Sequence, residues 1–83
     1  MIKQTLPEWF KGEVYKEGAT VANRFSGEEM ELTAIELSIY DFVMGASIIM
    51  EMGMNNPGVT KDLRKGLAWF RTYSPEAYDV LLD

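Results

Sequence analysis

The sequence predicts a mainly α-helical single domain: three to four helices around a long central helix over residues 33–54, with a short β-hairpin at 20–32. Three observations lead there. Thr33-Ala34-Ile35-Glu36 forms a capping box, in which Thr33 accepts from the third amide of the helix and Glu36 reaches back, and it opens the longest apolar-periodic stretch. Two proline-led helix starts follow, at Asn56-Pro57 and at Ser74-Pro75-Glu76. With 83 residues and 47% hydrophobic content, the chain suits one globular domain and not two.

The elements can be justified in order. Residues 7–17 are expected to form a short helix. Pro7 suits its first position, Glu8 its first turn, and Leu6, Phe10 and Val14 recur at helical spacing. Gly18 would stop it, although Gly12 weakens its middle. In the next segment Val21, Asn23 and Phe25 fall on one side of an extended chain, and Met30 and Leu32 alternate with Glu29 and Glu31 around the Ser26-Gly27 turn signal. That pattern favours a hairpin. The rival is a helix start with Ser26 as N-cap and Glu29 at N3. The central helix then runs to Asn55-Asn56-Pro57. A third helix covers 57–73, capped by Asn56 or Thr60, and a fourth short one begins at Ser74-Pro75 and reaches Leu82.

Composition removes several function classes. Cys and His are both 0, so disulfides, the usual zinc sites, haem attachment and iron–sulfur clusters are excluded. Carboxylates are left as the acid–base groups, and they do not pair. Glu36 and Glu51 share a helix but stand about four turns apart. Asp41, beside Tyr40, is expected to hydrogen-bond a backbone amide or Arg24. No catalytic residue, metal or cofactor is expected. The first residues carry no apolar leader, and the run from Phe42 to Met50 is too short to span a bilayer, so a cytoplasmic protein with no membrane contact is expected.

The central helix is apolar on two sides. At about 100° per residue, Ile35, Ile39, Phe42, Val43, Ala46, Ile49, Met50 and Gly53 gather on a core face. Leu37, Met44 and Ile48 form a second stripe roughly opposite, with Gly45 beside it. Either the helix is sandwiched inside the monomer, under the 7–17 helix or the hairpin, or Leu37, Met44, Gly45 and Ile48 meet a second copy. A small chain without disulfides or metal favours association, so a homodimer is expected.

Net charge is −5, yet residues 57–73 carry +3 from Lys61, Arg64, Lys65 and Arg71 against Asp62. These four cations sit opposite the buried face of Val59, Leu63, Leu67 and Phe70. They form either a solvated face or a contact for an acidic protein partner. No aromatic platform interleaves them, since Trp69 and Tyr73 lie toward the apolar side, so nucleic acid is not expected. The acidic Glu28-Glu29-Glu31 run would complement the strip, within one chain or between two.

Three patches are familiar in combination: Val21-Ala22-Asn23-Arg24-Phe25-Ser26-Gly27; Leu32-Thr33-Ala34-Ile35-Glu36 leading into Tyr40-Asp41-Phe42; and Trp69-Phe70 with Pro75-Glu76-Ala77-Tyr78 and Leu81-Leu82-Asp83. Together they resemble small uncharacterised proteins of T4-like marine cyanophages, over most of the chain from Val21 onward. These patches carry no known chemistry. The resemblance implies a viral accessory protein, or a minor structural one, acting inside an infected bacterium. The expectation is therefore a non-enzymatic interaction module that self-associates and binds a host or viral macromolecule. The alternative is a minor structural component of a virion or other assembly.

Overall fold

The computed structural model describes residues 5–10, 12–53 and 56–82. Expectations that rest on Met54, Asn55 or Asp83, or on the first four residues, lie outside these. The elements run β1 (Ala19–Ala22), β2 (Glu29–Leu32), α1 (Ala34–Glu51), α2 (Pro57–Tyr73) and α3 (Pro75–Ala77), the last continuing as a π-helix over Tyr78–Leu82. The chain is mainly helical with one antiparallel hairpin, as its sequence predicts.

Each boundary has a local cause. The Thr33 hydroxyl accepts from the Glu36 amide at 3.2 Å while a Glu36 carboxylate oxygen accepts from the Thr33 amide at 2.8 Å. At the start of α2 the Asn56 side chain accepts from the Gly58 amide at 2.8 Å, with Pro57 in the first turn. Asn56 is thus the cap and Thr60 lies inside the helix. Helix α1 ends at Glu51, sooner than expected, because Gly53 adopts φ +82° just beyond it. Gly53 therefore terminates the helix and is exposed rather than part of the core face.

The strands pair Val21 with Met30 and Ala19 with Leu32, so one face turns inward and Glu29 and Glu31 turn out. A lone two-stranded hairpin is marginal in water, and this one is fastened to the helices. Leu32 is 1% exposed, and the Asn23 side-chain amide donates to the Val80 carbonyl at 2.8 Å. The core joins Leu32, Ile39, Val43, Trp69, Phe70, Ala77 and Leu81. Helices α1 and α2 approach closely at Gly66, where a Cβ would collide with Val43.

The expected helix over 7–17 is not there. Residues 5–10 and 12–18 run as turns and irregular chain across the helices. Tertiary contacts decide the matter. The Phe10 amide donates to the Pro7 carbonyl in a single turn, and Trp9 and Phe10 both reach Phe42, with ring centroids 5.9 and 5.5 Å apart. The Tyr15 amide then donates to the Ser38 hydroxyl at 2.9 Å, which a helix would have kept for itself. Leu6 and Phe10 pack on the core but Val14 is 59% exposed, so the apolar spacing does not mark one continuous face. Gly18 is not a helix stop either: any side chain there would run into the Leu32 carbonyl.

Candidate functional site

The second stripe of α1 is partly covered by its own chain. Leu37 is half-buried and packs on the core. Met44 is half-buried in a groove it shares with Arg24 and Phe25 of the hairpin turn and with Leu63 and Leu67 of α2. Ile48 is 47% exposed. Gly45 faces open space and borders a different hollow, of about 290 Å³, with Asp41, Phe42, Ile49, Val59 and Asp62. The four residues thus do not form one uniform open face. The exposed apolar surface lies toward the helix end, where Ile49 is 37% and Met52 68% exposed. Ile49 falls on the core face by helical spacing but is partly exposed, because beyond Ala46 the neighbouring chain covers that side less.

Asp41 does not engage Arg24. Arg24 instead pairs with Glu51, both side chains being about half exposed. Such a pair contributes at most about 1 kcal/mol but fixes the turn's orientation. Asp41 neighbours Tyr15. Desolvation first, then the Asp41 and Glu13 charges and a hydrogen bond to Asp41, hold the Tyr15 phenol above its ordinary value. Burial likewise raises the Tyr40 phenol, with Arg24 opposing.

On α2 the four cations share the solvent side but divide in role. Lys61 and Arg64 are exposed and border a shallow hollow with Pro57 and Thr60. The Lys65 ammonium sits 5.9 Å from the Trp9 ring centroid, and the Arg71 guanidinium 5.5 Å from that of Tyr78. Lys65 also edges a cleft of about 380 Å³ with Trp9, Trp69 and Tyr73. This aromatic neighbourhood escapes sequence reasoning because Trp9 arrives from the far end of the chain. Its only advance signal was an aromatic pair, Trp9-Phe10, too large for an exposed short segment. Glu28, Glu29 and Glu31 are exposed, and among the described residues no ion pair joins them to the basic strip.

The turn between the strands holds another residue that the sequence reading assigned no role. Asn23 Oδ1 accepts from the Phe25 and Ser26 amides at 2.7 and 3.1 Å, and Gly27 adopts φ +78°. This fixed turn carries Phe25 at 86% exposure. Among the described residues no group of three or more acidic side chains gathers as a metal site, and no helix is long and apolar enough to cross a membrane. No protein-family model, curated protein or solved structure matches the chain.

Proposed function

We propose that this chain is a non-enzymatic protein-interaction module that pairs with a second copy through the end of α1 and takes an acidic protein partner on the outer face of α2. The observation that supports the pairing is the exposure of Ile48, Ile49 and Met52 at 47, 37 and 68% on the last turns of one helix. Covering that surface removes apolar area from water at about 25 cal/mol per Å². Gly45 leaves room for a neighbouring backbone alongside. The exposed Lys61 and Arg64, which form no ion pair among the described residues, support the acidic partner.

Sedimentation of the wild type and of Ile48→Asp tests the pairing. The wild type should sediment as a dimer and the variant as a monomer with an unchanged melting curve. A wild type that stays monomeric at high concentration removes the reading. On the cyanophage resemblance, this activity would belong to the cytoplasm of an infected bacterium, as that of an accessory protein. The separate exposure of Phe25 favours a second reading, a minor component of a larger assembly, because such a subunit has more than one surface to cover. Mass spectrometry of purified particles separates the two.

A further inference from the structure

The last turns of α1 are a small surface for the pairing proposed above. A stable contact covers about 800 Å² on each partner, and Ile48, Ile49 and Met52 are three side chains on one helix end. What borders them supplies more. Met44 lies one turn before Ile48 on the same stripe and leads into the groove it shares with Phe25, Ser47, Leu63 and Leu67. On the far bank the Arg24 guanidinium pairs with Glu51 in the last turn of α1 and stands 5.0 Å from the Phe25 ring centroid. This holds the ring beside the helix end. Phe25, 86% exposed, thus continues the apolar surface of Ile48 and Met52 across one neutral ion pair.

Ring and groove also match in size. Among the described residues the groove encloses about 190 Å³ over Val43, Met44, Leu63, Leu67 and Leu81. An apolar cavity of about 150 Å³ takes one benzene ring. Phe25 stands at the lip of its own groove with its ring turned out. Asn23 keeps it there: its Oδ1 accepts from the Phe25 and Ser26 amides, and its side-chain amide donates to the Val80 carbonyl. A ring fixed in this way loses little freedom when it docks.

We infer that Phe25 anchors the dimer: each copy seats its Phe25 ring in the groove beside Met44 of the other, next to the apposed Ile48 side chains. The inference rests on the self-association proposed above and names the residue that anchors it. A two-fold contact sets a patch against itself, so a patch of one sign would repel its copy. Here Arg24 and Glu51 cancel, and across the axis each finds both its own partner and its partner's copy. A strongly charged macromolecule is the weaker occupant, because Phe25, Met44, Ile48, Met52 and the Arg24–Glu51 pair together offer no net charge to attract it. Seated in this way, Phe25 needs no further partner surface.

Sedimentation of Phe25→Ser beside the wild type and Ile48→Asp tests the anchor. The wild type should dimerise and Phe25→Ser should do so about thirtyfold more weakly, as loss of an aromatic anchor does. The seat itself is read by crosslinking, since the chain has no cysteine of its own. Ser26→Cys and Ser47→Cys, mixed and treated with a short bismaleimide, should give a link between positions 26 and 47, which in that mixture joins two chains. A Phe25→Ser dimer as tight as the wild type, with Ile48→Asp monomeric, overturns the inference and leaves the earlier reading standing. So does a wild-type dimer whose mixture gives no 26–47 link. A wild type that stays monomeric overturns both. A dimer that Phe25→Ser breaks and Ile48→Asp leaves intact also overturns both, because the two residues then serve different surfaces.

Discussion

The flank of α1 outside its tight contact with α2 is treated differently along its length. Near the start, the irregular N-terminal chain crosses it: Ser38 is fully buried under Tyr15, and the rings of Trp9 and Phe10 close over Phe42. Near the end, Ile48, Ile49 and Met52 have no such cover. The residues of the two halves are of similar apolar character, so the difference comes from how far the covering strand reaches. A helix with two apolar sides in a chain this short is enclosed only where a second segment happens to be laid across it.

Paired truncations should break that contrast most visibly. Ile39→Ala, at a position with no exposure, should cost about 2–5 kcal/mol, whereas Ile48→Ala should stay within about 0.5 kcal/mol in denaturant unfolding of the monomer. Equal losses would mean that the helix end is covered in solution. A smaller effect is expected at the crossing itself. Ser38→Ala removes the acceptor for the Tyr15 amide and should cost about 1–2 kcal/mol, while hydrogen exchange at Tyr15 rises and that at Val43 does not.

The smallest effect is alkaline. The folded pKa of Tyr15 lies above the ordinary 10.0, so folding favours the neutral phenol. Its contribution is complete below the unfolded value and is lost as pH rises through the folded one. Wild-type stability should therefore fall more steeply than that of Tyr15→Phe as pH rises above about 10. Parallel slopes would mean that folding does not hold the Tyr15 phenol in its neutral form.

What the sequence makes legible is what neighbours in the chain decide. The Thr33/Glu36 box, the Asn56-Pro57 start, the hairpin alternation and the basic strip of α2 all depend on residues a few positions apart. The N-terminal segment is not legible locally: Leu6, Phe10 and Val14 satisfy helical spacing, while its partners, Ser38 and Phe42, lie far along the chain. The same reason hides the cleft: the aromatic neighbour of Lys65 is Trp9, more than fifty positions away. The direction of the α1 stripe was legible, but its coverage depends on a strand whose path no local pattern records.

The bond from Asn23 to the Val80 carbonyl has a consequence for synthesis. While the chain emerges from the ribosome, the strands and their turn are complete long before residue 80 appears, so the turn has no latch during translation. Long-range closures of this kind form late and slow the final step of folding. A nascent chain therefore carries the turn that presents Phe25 on its own Asn23 hydrogen bonds alone at first, and only the finished chain ties it to the C-terminal helix.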